Sequence, residues 1–326
     1  MSTRIARRAL ASGFGLAVVL ALGAGCKDGA TPGAGAAPAA EAPAPATPEP
    51  KARAGPKAPR IVLRAFDDPG QALSTLLAEA RPRVLGVGEI HQSRAQAGVP
   101  SAIKRFGQTM IGALQNKATD LIVETWISEG GCGETEKQVV EQVEQTTERP
   151  AATENEIVTL LKRAQGLGIR PHILHASCAD YEIISGKGGE VDYERLLELT
   201  TDKLRDKSLA VLAGPGAPEQ ERPGLLVVYG GAVHNDAAPE PGLDVFAYAP
   251  RVRARVGGRY AELDLWVPEY VAGDPEITGS AAYHKALTRI DQGKTLLLTL
   301  GVGRYVIVFP KSASRPRKMP GGIGLR

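Results

Sequence analysis

At 326 residues, 43% apolar and 23% charged, the chain has ordinary globular composition and room for one large domain or two small ones. Its 39 Lys and Arg exceed its 36 Asp and Glu by three, and Arg4, Arg7 and Arg8 supply that whole excess. From residue 26 onward the chain is therefore neutral, which argues against a nucleic-acid partner. Aromatics at 5% leave the core to Leu, Val, Ile and Ala.

Residues 1–25 read as a lipoprotein signal peptide. The three arginines precede an apolar or small run, 9–25, that is too short for a comfortable membrane span. The run ends Leu22-Gly-Ala-Gly-Cys26. Small residues before a cysteine resemble a bacterial lipobox, which implies cleavage before Cys26 and lipidation of its thiol. An ordinary signal peptide cut near Ala24 is the alternative. Lys27 after the cysteine fits outer-membrane sorting, so the expected location is the bacterial cell envelope, lipid-anchored and facing the periplasm. Residues 26–60 then read as the lipidated cysteine and a disordered linker. Of the 32 residues from 29 to 60, 24 are Ala, Pro or Gly, and such a segment buries too little surface to offset its ordering entropy.

The folded domain is expected over 61–310, followed by a basic Gly/Pro-rich disordered tail, 311–326. Within it, Ile61–Phe66 reads as a strand and 72–80 as a helix with Leu73, Leu76 and Leu77 on one face. Val84–Gly88 is a buried strand. Residues 101–117 carry Ile103, Phe106, Met110, Ile111 and Leu114 at helical spacing. Residues 120–126 form a strand, 134–148 a polar helix docked by Val139, Val140 and Val143, and 154–166 another helix. Arg170–His175 is a strand, 192–213 a helix and Leu225–Tyr229 a strand. Asp244–Tyr248, Tyr260–Trp266, Thr295–Leu300 and Arg304–Phe309 read as further strands, the last two joined by a hairpin at Gly301-Val-Gly303. The alternation in the first half predicts a parallel sheet with right-handed crossovers. The second half predicts an antiparallel addition. The fold class is thus α/β: a mixed central sheet, parallel core with antiparallel extension, and helices on both faces. Glu262-Leu-Asp-Leu-Trp266 alternates like a half-exposed strand.

Two motifs share one form, a strand, then a glycine, two residues and a histidine: Gly88-Glu-Ile-His91 and Gly231-Ala-Val-His234. Glu124 ends a third apolar strand. Ligands in α/β sheets bind at the C-terminal ends of the strands. Two imidazoles with Glu89 and Glu124 there form a reasonable set for a divalent transition metal, Mn, Co or Zn, able to activate water and polarise a carbonyl. Structural readings stand beside this one: hydrogen bonds to neighbouring loops for His91 and His234, helix capping for Glu89, a buried salt bridge for Glu124. His175 lies near the same edge, whereas His172 is expected to point into helices. Asp180 and Tyr181 are placed to line the cleft, and His284 reads as surface. Gly186-Lys-Gly-Gly189 lacks the strand and spacing of a phosphate loop, and no Gly-x-Ser-x-Gly elbow is present. Export to an oxidising compartment would pair Cys132 with Cys178; two buried free thiols are the alternative.

These motifs, in this order and strand context, resemble the TIKI/TraB, erythromycin-esterase and ChaN superfamily. The resemblance covers about residues 80–240. It carries Glu89, His91, Glu124 and His234 over as the functional positions. In the TIKI branch it implies a metal-dependent protease. In the ChaN branch it implies a haem-binding lipoprotein, with a tyrosine or histidine as ligand, for which Tyr181 and His175 are candidates; Gln92 stands where ChaN-type members carry Asp. The sequence reading is therefore a cell-envelope lipoprotein with a metal-dependent hydrolase site for a peptide, ester or other small molecule. The alternative is a non-enzymatic haem binder in iron uptake. A third reading is a degenerate member that holds a partner.

Overall fold

The computed structural model describes residues 60–312 except 129, 148–149, 151, 187, 215–223 and 291. The signal peptide, Cys26, the linker up to residue 59 and the tail from 313 lie outside the described residues. Among the described residues no helix is long and apolar enough to cross a membrane.

Eight strands are present: β1 (Val62–Phe66), β2 (Val84–Glu89), β3 (Ala118–Ser128), β4 (Arg170–Ala176), β5 (Leu225–Gly231), β6 (Tyr260–Trp266), β7 (Thr295–Gly301) and β8 (Arg304–Val308). They form one sheet in the order β1-β7-β8-β6-β2-β5-β3-β4. The run from β8 to β4 is parallel throughout, and β1–β7 and β7–β8 are antiparallel. The helices are α1 (Pro69–Ala80), α2 (Ala102–Arg105), α3 (Glu134–Thr147), α4 (Ala152–Gly166), α5 (Cys178–Ile184), α6 (Tyr193–Ala213), α7 (Ala232–Asn235), α8 (Ala249–Arg255), α9 (Pro268–Val271), α10 (Pro275–Thr278) and α11 (Ala281–Leu287).

β5, at the centre of the parallel run, is covered on both faces, which is why it has no charged residue and does not alternate with polar ones. In β5, Leu225, Val227 and Tyr229 join one core with Leu73, Phe106 and Leu160, while Leu226 and Val228 join a second with Leu204, Leu212 and Val252. Local chemistry fits this plan. Asp68 caps α1 by accepting from the Gln71 N–H, Pro69 opens the helix, and Leu73, Leu76 and Leu77 are buried on one stripe.

Three expectations are corrected. Residues 101–117 are not one helix. After α2 the chain widens to a π-helical stretch, Phe106–Met110, then tightens to a 3-10 turn, Ile111–Leu114. The change of pitch keeps Phe106, Met110, Ile111 and Leu114 all fully buried. Asp244–Tyr248 is not a strand: Asp244–Phe246 is a 3-10 turn that feeds α8, whose first turn carries Pro250. Finally, β6 belongs to the parallel core, between β2 and β8. The α8 region supplies its crossover, and the strand is buried at every position but Asp264, not half exposed.

This topology makes a place for a site. The chain leaving β2 runs through Ile103 and Phe106 on one face of the sheet. The chain leaving β5, its neighbour, runs through Ala249 and Val252 on the other. Adjacent parallel strands whose connections depart to opposite faces mark the point where α/β sheets open a ligand crevice.

Candidate functional site

β2 and β5 end in register, Glu89 opposite Gly231. Beyond these ends lie His91, two residues past β2, and His234, in the short helix α7 that begins directly after Gly231. The third strand reaches the same point through a bulge. β3 pairs with β5 as far as Val123, and its register with β4 jumps from Val123 to Trp126, while the partners on β4, Ile173 and Leu174, are consecutive. Glu124 and Thr125 are the extra residues. Bulges re-aim side chains, and here the Glu124 carboxylate turns onto the end of β5, where Oε2 accepts from the Gly231 N–H at 2.6 Å.

That approach depends on glycine. A Cβ on Gly230 would lie 2.5 Å from Glu124 Oε2. A Cβ on Gly231 would lie 3.1 Å from His91 Nε2, 3.5 Å from Glu124 Oε2 and 3.7 Å from His234 Cδ2. One point above Gly231 therefore has all three side chains around it, each delivered by a different strand. Glu124 Oε1 is 4.0 Å from His234 Nε2.

Both imidazoles are oriented by their Nδ1. His234 Nδ1 is 2.9 Å from the Phe246 carbonyl and 2.8 Å from Thr201 Oγ1. The Thr201 hydroxyl itself donates to Leu197 O. Both neighbours of Nδ1 thus accept, so Nδ1 carries the proton and, in the neutral ring, Nε2 carries the lone pair. His91 Nδ1 is 2.9 Å from Glu89 Oε1, and the other oxygen of Glu89 accepts from the Tyr229 hydroxyl. The Tyr229 ring is packed against Phe106 at 5.1 Å between centroids. A carboxylate behind Nδ1 again turns Nε2 toward the site. This is the arrangement that supports metal-ligating histidines.

The 4.0 Å between His234 Nε2 and Glu124 Oε1 is wider than the roughly 3.4 Å that bonds of about 2.0–2.2 Å at a tetrahedral ion set between two ligands, so the pair must close to share one ion. As placed, no three His, Cys, Asp or Glu among the described residues lie close enough to hold a metal together. A three-donor site needs His91 to close on the Glu124–His234 pair. The donor types suit a divalent ion; their spacing does not hold one without that movement.

The other candidates are distributed as follows. Tyr181 is 5% exposed and lines the same cleft as Glu124 and His234. Asp180 instead caps α5 with Ser177 and pairs with Lys203 at 2.7 Å. Burial raises its pKa, but the Lys203 and Ser177 hydrogen bonds outweigh that and hold the carboxyl below its usual range. His175 is exposed on the edge strand β4. His172 does not point into helices; its Nε2 is 2.8 Å from Asp120, a carboxylate that Arg170 also faces. His284 is exposed and bonds Ser280 O within its own helix. Cys132 and Cys178 form a disulfide, with Cα atoms 5.0 Å apart.

Comparison with known proteins assigns no family: no family model, no curated protein and no solved structure matches this chain. The site must therefore be read from its own geometry.

The supporting residues were harder to find in the sequence than the ligand-type ones. Thr201 is a polar residue on the buried stripe of α6 between Leu197 and Leu204, and that misplaced polarity was its only signal. The Phe246 carbonyl had none. A second polar group also went unread. On the other side of β2, Glu262 and Asp264 project from β6 toward Asp236 and Arg304 in a cavity of about 530 Å³. Glu262 accepts from the Ala237 N–H at 2.9 Å and faces Arg304 at 3.2 Å. Burial, then the charges of Glu262 and Asp236, push the Asp264 carboxyl well above the usual range.

Proposed function

We propose that the chain is a cell-envelope lipoprotein, anchored through Cys26, whose domain carries a metal-dependent hydrolase site of the kind implied by its resemblance to the TIKI and erythromycin-esterase branches. In this reading His91 and His234, through Nε2, and Glu124, through its carboxylate, hold a divalent transition ion. Such an ion supplies a nucleophilic water near neutral pH and polarises the scissile carbonyl. The chain's own residues prepare the rest. Glu89 and Tyr229 hold the His91 ring; Thr201 and the Phe246 carbonyl hold His234. The Gly231 N–H fixes one oxygen of Glu124, and the bulge at Glu124–Thr125 keeps the carboxylate at the strand ends. The observation that carries the reading is the shared orientation of two imidazoles, both backed at Nδ1, around the glycine that binds Glu124.

The test uses full-length protein stripped of metal and reloaded with Mn²⁺, Co²⁺ or Zn²⁺. Bound metal is measured, as is turnover of p-nitrophenyl acetate and of a peptide amide. Stoichiometric binding and metal-dependent turnover, both lost in His91→Ala and His234→Ala, are expected. No bound metal and no effect of either substitution would remove the reading.

A haem-binding function is the second reading, favoured by one observation: Tyr181 lines the same cleft as His234. A Soret band on mixing with haemin, lost in Tyr181→Phe, would support it at the expense of the hydrolase. Radiolabelled palmitate incorporation, abolished by Cys26→Ser, tests the anchor.

A further inference from the structure

The cleft that contains Glu124 and His234 has a volume of about 480 Å³, within the range of small-molecule pockets, roughly 300–1,000 Å³. Besides those two residues its walls carry Trp126, Val140, Val143, Ile157, Ile184 and Leu196, together with the polar Arg94, Thr125, Thr147, Thr153 and Thr200. Helix α3 is informative here. It is polar along most of its length, and its only three apolar residues, Val139, Val140 and Val143, all line the cleft. Val140 remains 40% exposed there.

This wall is fixed from outside. Gln142 donates to Gly189 O at 2.6 Å and accepts from the Val191 N–H at 2.9 Å. Tyr193 donates to Gln142 O at 3.0 Å. The Cys132–Cys178 disulfide ties the loop before α3 to the start of α5. Val139 and Val143 pack the helix into a cluster with Trp126, Tyr181, Ile184 and Leu196, which leaves Val140 exposed at the cleft. Apart from Glu124, the charged lining residues are two carboxylates, Glu144 and Glu154, and one guanidinium, Arg94, a balance that disfavours a carboxylate on the ligand.

From this we infer that the cleft is an acyl pocket: the site takes neutral esters or amides whose acyl part is an unsubstituted aliphatic chain of medium length, laid between α3 and α6 with its carbonyl at Glu124 and His234. The inference rests on the hydrolase reading for the chemical step and on the cleft alone for the binding. In that step the oxygen of water bonds to the acyl carbon, the bond to the leaving oxygen or nitrogen breaks, and the leaving group takes a proton.

Two measurements test it on the full-length, metal-loaded protein. In the first, kcat/KM is measured for p-nitrophenyl acetate, butyrate, hexanoate and octanoate. Each buried methylene is expected to raise it about threefold, more than 10²-fold across the series. Val143→Trp, which fills the cleft, and Val140→Asp, which adds a charge at an exposed and easily tolerated position, should each flatten the series. In the second, 2-decanone, a carbonyl compound that is not hydrolysed, is titrated while tryptophan emission is followed. Trp126 and Trp266 are the only tryptophans, and a saturable change that disappears in Trp126→Phe places the ligand in the cleft.

A rising series that flattens in both variants supports the inference. A series flat in wild type, with no response to 2-decanone, overturns it and leaves the hydrolase reading standing. No turnover of any ester, but 2-decanone binding lost in Val140→Asp, removes the hydrolase and keeps the apolar binding pocket. Neither turnover nor binding removes both.

Discussion

Two groups of buried polar side chains lie on the sheet, and β2 divides them. On the β5–β3 side, His91, Glu124 and His234 are each held by a second group: Glu89, the Gly231 N–H, and Thr201 with the Phe246 carbonyl. On the β6–β8 side, Glu262, Asp264 and Asp236 crowd one another around a single guanidinium, Arg304. The first buries polar side chains at strand ends, the second in the middle of β6. The first spends its hydrogen bonds on orientation, so that defined atoms face one point. In the second, burial and neighbouring carboxylates push the Glu262 and Asp264 carboxyls above their usual range. Burial of titratable groups alone therefore does not distinguish a site from a strained part of the core. The distinguishing feature is whether the partners aim the groups or merely neutralise them.

The largest expected effect comes from removing an aimed group. His234→Ala should lower hydrolytic turnover by at least about 10³-fold while Glu262→Gln leaves it within about threefold; steady-state kinetics on p-nitrophenyl butyrate decides, and equal losses would erase the contrast.

Next comes the disulfide, which fixes the cleft wall on the first side only. Replacing Cys132 and Cys178 together by Ser opens a loop of 46 residues, and the cost in unfolding free energy should be about 2–4 kcal/mol. Denaturant melts measure this, and the p-nitrophenyl octanoate to acetate ratio should fall with it.

A smaller change sharpens the idea of aiming. Glu89→Gln keeps the shape but weakens the support behind His91, and metal affinity should drop about 10–100-fold, as read by competition with a chelator. An unchanged affinity would show that Glu89 supports the fold alone.

The smallest effect separates the two groups by pH. The folded-state pKa of Asp264 is raised, so its proton uptake favours the folded state and stability falls as pH rises from the unfolded value, about 3.9, through the folded one. Asp264→Asn should raise Tm at pH 8 by about 2–4 °C and leave it unchanged near pH 3. Asp120 has the opposite sign. Burial raises its pKa, but His172, Thr119 and Arg170 together hold it below the usual range. Its contribution is present above the unfolded pKa and is lost as pH falls through the folded one, so Asp120→Asn should lower Tm at pH 8 and converge with wild type in acid. Thermal melts at the two pH values check both signs.

Much of this architecture was readable in the chain. Apolar runs such as Leu225–Tyr229 and Leu121–Val123 are continuous because both faces are covered, and that continuity shows in one dimension. Motifs of four residues at a strand end, Gly88 to His91 and Gly231 to His234, place their histidines without knowledge of any other segment. The pairing of Cys132 with Cys178 was one of two readings, and the structure has the disulfide. The site's second layer was not readable. Thr201, the Phe246 carbonyl and Tyr229 meet the motif residues from 33, 12 and 140 positions away, and apart from the polarity of Thr201 on a buried helix stripe nothing local announces it.

The sequence by itself determined eight strand segments, while misreading Asp244–Tyr248 as a ninth, and it set Glu89, His91, Glu124 and His234 at or just beyond strand ends, because side-chain period and glycine placement are local properties. Only the tertiary structure decided the rest: that β6 crosses to the far side of β2 and keeps its acids away from the histidines, that a two-residue bulge turns Glu124 onto Gly231, and that α3 stands over an open cleft. Those outcomes depend on which strands become neighbours and in what register, and that is settled by packing across the whole sheet.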